Sequence, residues 1–270
     1  MLASIWRAHS EDGVLQRDWL QNRRFRYLAP QEARICTQDS GEGISTHLGR
    51  WIHDPALSTV RGDLPLMTAI ALFPSVLGVR PGVVAAAELF RAAGHQVRII
   101  HTYDGRVFDD YDEASVFAQS IGYPTLMDGA LAAVADQKGP FVTAGFSMGA
   151  ILAEYVAAAR GGRGGGVVGS LQFAGAMPLK EAGLTHWPAE TPVQLHYAVD
   201  DPFRDEGRVT TFVAAVRESG SDLETFLDYP IAGHLFTDSS LVAEYDATSA
   251  ALFFERALEF LGRAGDPGGT

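Results

Sequence analysis

From Met67 onward, short apolar runs rich in β-branched residues alternate with longer Ala-rich stretches of helical period. Parallel α/β units read this way, because a strand covered on both faces has no polar side to show. The pattern predicts strands at Thr68–Phe73, Gln96–His101, Phe141–Ala144, Val167–Ala174, Val193–Val199 and Leu223–Tyr229. Of the stretches between them, "VVAAAELFRAAG" ends at Gly94 and "DEGRVTTFVAAVRESG" at Gly220, each glycine supplying the left-handed residue that closes a helix. A last helix starts from Asp246 as N-cap and runs through "ATSAALFFERALEFL", since an aspartate there can accept from the first free amides. The predicted class is α/β, a doubly wound and mainly parallel sheet of about six to eight strands.

Residues 1–66 lack this rhythm. They carry three of the four tryptophans and the polar piece "CTQDSGEGISTHLG". They read as an N-terminal extension to a core domain at 67–263, either an arm that packs on the domain or on a partner, or a translated segment upstream of a natural start at Met67. Residues 264–270 read as a flexible tail. The Gly-rich piece "GGRGGG" at 161–166 follows a helix and precedes a strand, the reverse of a phosphate cradle, and reads as a surface loop.

Composition narrows the possible functions. A chain of 270 residues, 47% hydrophobic and 20% charged, can fill the core of one large domain. The longest apolar run, Leu66–Val79, is broken by Pro74 and Gly78, so no membrane helix is expected. The opening "MLASIWRAHSEDG" turns polar too early for a secretory signal. One cysteine, Cys36, can form neither an internal disulfide nor a thiolate metal cage. These features predict a cytoplasmic protein that needs no metal. A net charge of −12 and a pI near 5.0 argue against a nucleic-acid partner, because phosphate-backbone binding depends on clustered Lys and Arg.

Candidate chemistry centres on "FVTAGFSMGAILAEYVAAA". A G-x-S-x-G match is weak alone, but here a strand, a tight turn and a helix follow one another without a gap, as a nucleophile elbow requires. Ser147 is the candidate nucleophile, and the helix behind it aims free amides at a developing oxyanion. A serine hydroxyl needs a base, and the base needs an orienting carboxylate. In this fold the order is serine, acid, histidine. Of the downstream histidines, His196 lies inside a strand and reads as a core residue, and His186 lies in a loop that could line a pocket. His234, in the turn after the last strand, is the candidate base. Asp200 and Asp201 both stand past the end of a strand; Asp201 is preferred because Pro202 fixes the turn behind it, and Asp200 is the alternative. Ser147, Asp201 and His234 would share the carboxyl edge of the sheet, where open α/β sheets build their sites. Val76, after the first core strand, and Met148 are the expected amide donors to the oxyanion.

The pieces "LFPSVLGVRPGV", "LFRAAGHQVRIIHTYDGRVF", "AGFSMG", "HYAVDDPF" and "YPIAGHLFTDSS" resemble the dienelactone hydrolase family of α/β-hydrolases. The resemblance spans nearly everything from Met67 to about Gly262. It implies an α/β-hydrolase fold without a large lid domain. It also implies ester or lactone cleavage through Ser147, Asp201 and His234, with oxyanion donors Val76 and Met148, and no cofactor. The best-known members carry cysteine where this chain has Ser147, glutamate where it has Ser75, and arginine where it has Asp238. Those charged groups activate the thiol and hold an anionic dienelactone, so their absence argues against dienelactone itself. Arg106 is a candidate for holding a carboxylate, since the family has an arginine close to that loop position. A solvated surface arginine is the plainer reading. Ser75, Tyr103, Trp187 and Phe203 are further candidates for lining the pocket. The acidic run at Asp109–Glu113 reads as a helix start rather than a metal site.

The expected function is a serine hydrolase acting on a small-molecule ester or lactone, as a monomer or homodimer. An acyltransferase or amidase using the same residues, and a non-catalytic α/β binding scaffold, are the alternatives.

Overall fold

The structure, a computed structural model, describes residues 67–162 and 164–264. The extension expected at residues 1–66 lies outside the described residues, as does all of the expected tail except Ala264, which closes the last helix.

Six strands form one sheet: β1 Ala69–Phe73, β2 Gln96–Ile99, β3 Phe141–Phe146, β4 Val167–Phe173, β5 Val193–Ala198 and β6 Leu223–Tyr229. Their order is β2-β1-β3-β4-β5-β6, and every neighbouring pair is parallel. The chain first moves outward from β1 to β2, then returns past β1 and continues the other way. The reversal leaves a crevice at the carboxyl ends of β1 and β3, the position at which such sheets bind ligands. Central strands β3 and β5 are buried along their whole length, whereas edge strand β2 exposes Gln96 and Arg98. This difference is why the central strands read as largely apolar runs.

Helices flank the sheet: α1 Pro81–Ala92, α2 Tyr111–Ile121, α3 Tyr123–Ala133, α4 Met148–Arg160, α5 Glu206–Glu218 and α6 Ala247–Ala264. Three N-termini are closed by aspartates whose side chains accept backbone amides, Asp110 from Glu113, Asp205 from Arg208 and Asp246 from Ser249. Each satisfies one amide that the helix leaves unpaired. The acidic run at 109–113 is therefore a helix start. Gly122 at φ 88° separates α2 from α3, with Pro124 in the first turn of the second helix.

The predicted strands appear with small changes at their ends. β3 runs two residues further than its apolar pattern suggested, because Gly145 and Phe146 still pair with Gln172 and Phe173 of β4. β2 stops at Ile99, although the Ile100 amide still bonds the Leu72 carbonyl at 2.8 Å. Behind the ends of β3 and β4 lies an aromatic cluster in which Phe173 meets Phe253 and Phe236 edge-on, each at 4.8 Å between centroids. Pairs of this geometry add about 0.5–1.5 kcal/mol to their area burial. His196, on β5, is a fully buried core residue: Nδ1 lies 2.8 Å from the Tyr229 hydroxyl and Nε2 2.9 Å from Gln194 Oε1. Burial holds its pKa well below the usual histidine value, so it stays neutral. Among the described residues no helix is long and apolar enough to cross a membrane.

Candidate active site

Ser147 occupies the single residue between the end of β3 and the start of α4, with φ 55° and ψ −119°. A non-glycine residue at positive φ is strained by its own Cβ, and the surroundings hold it there. Its amide donates to the Phe173 carbonyl at 2.7 Å. The flanking glycines are required by contact: a Cβ on Gly145 would stand 2.1 Å from the Gly149 carbonyl oxygen, and one on Gly149 would stand 2.3 Å from the carbonyl oxygens of both Phe73 and Pro74. The G-x-S-x-G spacing is therefore the imprint of strand, turn and helix packed backbone to backbone.

His234 and Asp201 come to this serine from two other loops at the same sheet edge. His234 Nε2 lies 2.7 Å from Ser147 Oγ, and Nδ1 lies 2.8 and 2.9 Å from the two oxygens of Asp201. A carboxylate can only accept, so Nδ1 carries the proton and Nε2 is left to accept from the serine hydroxyl. Ser147 and His234 are each only 2% exposed and Asp201 6%. The low-dielectric surroundings strengthen each of these bonds. Asp201 is fixed in turn: its Oδ1 accepts the Phe203 amide at 2.8 Å, and the neighbouring Arg204 guanidinium donates to the carbonyls of Ala198 and Leu227. Asp200 is exposed.

The loop after β1 lies against the start of α4, which is what the Gly149 contacts express. Met148 is the first residue of α4, so its amide has no carbonyl one turn back within the helix. Ser75 is buried, and its hydroxyl accepts the Leu77 amide at 3.2 Å, while the Gly78 amide bonds the Ser75 carbonyl. These bonds set the loop without using the Val76 amide. A carbonyl held above Ser147 Oγ between the Val76 and Met148 amides would have its developing charge stabilised.

The remaining candidates divide. Tyr103 is buried beside the elbow with its hydroxyl 3.5 Å from Met148 Sδ, and the Phe203 ring lies 4.6 Å from the His234 ring. Arg106 is exposed, with its guanidinium over the Phe117 ring at 4.7 Å. The surface reading of this residue is the one the structure favours. Trp187 is not at the site. It is 1% exposed, donates to the Thr191 carbonyl just ahead of β5, and meets Phe212 edge-on, which places it at the opposite, amino edge of the sheet. Apolar bulk in a loop carried no information about which edge it would reach. His186 is exposed, and its Nδ1 lies 3.0 Å from the Thr185 hydroxyl.

Two groupings had no signal in the sequence pattern. Tyr111, at the start of α2, points its hydroxyl at both oxygens of Glu244 and its ring at His234. Arg80 bonds Asp109, the Phe108 carbonyl and Ser240, and lies 3.6 Å from Asp238. Asp238 also accepts from the Ser240 amide and hydroxyl. Both join residues far apart in the chain, and no local spacing announces them. Among the described residues no three His, Cys, Asp or Glu side chains converge as a metal site.

The family model of the dienelactone hydrolases matches residues 65–265. The chain belongs to the dienelactone hydrolase family. Members are hydrolases acting on ester bonds, and this chain is one of them. Solved structures share the fold at low identity. The promiscuous dienelactone hydrolase-like phosphotriesterase P91 from metagenomic libraries is 19% identical, with a TM-score of 0.61 over 76% of this chain and 89% of its own. Thermogutta terrifontis esterase 2, solved phosphonylated by cyclosarin, is 16% identical, with a TM-score of 0.53 over 78% and 88%. The mouse alpha/beta hydrolase domain-containing protein 10 is 15% identical, with a TM-score of 0.52 over 76% and 92%. Among curated proteins no sequence matches. The α/β-hydrolase fold agrees with the reading from sequence, and among the described residues there is no large lid.

Proposed function

We propose that this family member cleaves a small-molecule carboxylic ester or lactone through an acyl-enzyme on Ser147. His234 acts as the base and Asp201 as the orienting carboxylate. The observation that carries the reading is the continuous chain from Ser147 Oγ through His234 to both oxygens of Asp201, at 2.7 to 2.9 Å.

As Oγ attacks the carbonyl carbon, Nε2 takes its proton, and Asp201 stabilises the imidazolium that forms. The carbonyl oxygen becomes an oxyanion and accepts from the amides of Val76 and Met148, each such donor contributing about 3 to 4 kcal/mol. The tetrahedral intermediate then expels the alkoxide, which takes the proton from Nε2. Water, deprotonated by His234, attacks the acyl carbon in the same way and releases Ser147 and the carboxylic acid. For a lactone, the alkoxide and the acid are two ends of one product. Every proton is returned, and the residues in place complete the cycle. A single cysteine in 270 residues fits an enzyme of the reducing cytoplasm.

The test is labelling with a fluorophosphonate followed by peptide mapping, on the wild type and on Ser147→Ala and His234→Ala. Labelling at Ser147 that is lost in both variants supports the reading. A folded wild type that stays unlabelled returns the fold to the role of a binding scaffold.

A further inference from the structure

His234 lies in a turn, outside any strand or helix. Its position is therefore set by whatever holds that turn, and one residue holds both sides of it. The Glu244 carboxylate accepts the Leu235 amide at 2.8 Å, while its main-chain carbonyl lies so close to Gly233 that a Cβ there would stand 2.1 Å away.

Glu244 is fastened in turn by Tyr111, whose hydroxyl lies 3.0 and 3.1 Å from the two carboxylate oxygens. The Tyr111 ring meets the imidazole at 5.9 Å and 68°, and Phe203 at 5.1 Å. Phe203 in turn donates its amide to Asp201. One phenol thus touches the histidine's ring, the residue that fixes its backbone, and the aromatic neighbour of its carboxylate. Burial, with the Glu244 charge beside it, pushes the phenol above the usual tyrosine range, so it stays a donor at any working pH.

We propose that Tyr111 and Glu244 act as a positioning pair, setting where His234 Nε2 points at Ser147 without touching substrate. The proposal rests on the hydrolase reading above. Because misplacing a reacting group by about 1 Å costs about 100-fold in rate, partial loosening of this turn is felt in kcat while substrate binding is left alone.

The test uses the full chain, a p-nitrophenyl ester and active-site titration with a fluorophosphonate, so that rates are expressed per reactive serine. Tyr111→Phe keeps the ring and removes one oxygen. It should lower kcat about tenfold with KM within about twofold. Glu244→Ala should do at least as much, and Glu244→Gln, which keeps a carbonyl oxygen for Leu235 and Tyr111, should recover kcat to within about threefold of the wild type. The double variant Tyr111→Phe/Glu244→Ala should fall no further than the worse single one, because the two act as a unit. The proposal is overturned if Tyr111→Phe keeps wild-type kcat, if the double variant is additive, or if losses track only the melting temperature. If the wild type itself does not label at Ser147, the hydrolase reading fails first and the positioning role falls with it.

Discussion

Gly149 lies in van der Waals overlap range of Phe73: a Cβ on the glycine would stand 2.3 Å from the Phe73 carbonyl oxygen and equally close to that of Pro74. The first turn of α4 and the loop that carries Val76 are thus in direct backbone contact. Gly149→Ala must push them apart, since no side chain can yield. The expected cost is about 1–3 kcal/mol, read as a fall of about 2–10 °C in Tm, together with a loss of ester hydrolysis. Gly94, with nothing within 4 Å of its would-be Cβ, is the control: Gly94→Ala strains only the local backbone at φ 97° and should leave kcat unchanged. Equal activity losses in the two variants would refute the contact argument.

Asp201 and Asp200 are adjacent in sequence and opposite in setting. Asp201→Asn should lower kcat by about 10⁴-fold, because the amide favours the wrong imidazole tautomer. Asp200→Asn, at an exposed position, should change it by less than about twofold. Steady-state hydrolysis of a p-nitrophenyl ester decides between them.

Glu154, on α4, is fully buried, with one oxygen accepting the Met177 amide at 2.9 Å and the other without a hydrogen-bond partner among the described residues. Burial raises its pKa well above the ordinary 4.5, against the opposing pull of the Met177 amide. The folded state therefore keeps a proton that the unfolded chain releases. The stability tied to this group is full below 4.5 and declines as pH rises toward the folded value. Glu154→Gln keeps an oxygen for Met177 and has no proton to lose. Its advantage over the wild type in urea unfolding should grow as pH rises above 4.5. Parallel stability profiles would count against a protonated Glu154.

Trp187 packs at the amino edge of the sheet, so its loss should be structural. Trp187→Phe removes the indole donor to Thr191 and leaves a gap beside Phe212, costing about 1–3 kcal/mol. KM for any active ester should not move. A raised KM at unchanged Tm would place the indole near substrate after all.

What could be read in the sequence had local causes. The strands at β1, β3 and β5 were legible because burial on both faces favours short, largely apolar runs, and the Asp246 cap because one side chain serves an amide three residues on. The meeting of Ser147, Asp201 and His234 was foreseeable because each follows a strand end, and parallel strands bring all such ends to one edge. Asp200 could not be separated from Asp201 by that argument, since strand β5 ends at Ala198 and the turn beyond it has no period to count. Trp187, Tyr111 and Glu244 depend on which loop folds over which. That choice is made by contacts between residues distant in the chain, and no spacing within a segment encodes it.

Ser147 and His234 are 87 residues apart, and Asp201 lies 33 residues before the histidine. Between the elbow and its base the chain must add three more parallel strands, each needing a long crossover before it can pair. The elbow is complete once β3 and α4 have formed against β1 and β4, since the Ser147 amide bonds the Phe173 carbonyl at the end of β4. The imidazole reaches it only after the far edge of the sheet is in place. On the proposed mechanism an inert serine marks the unfinished molecule, and a chain halted midway carries the nucleophile's geometry without its chemistry.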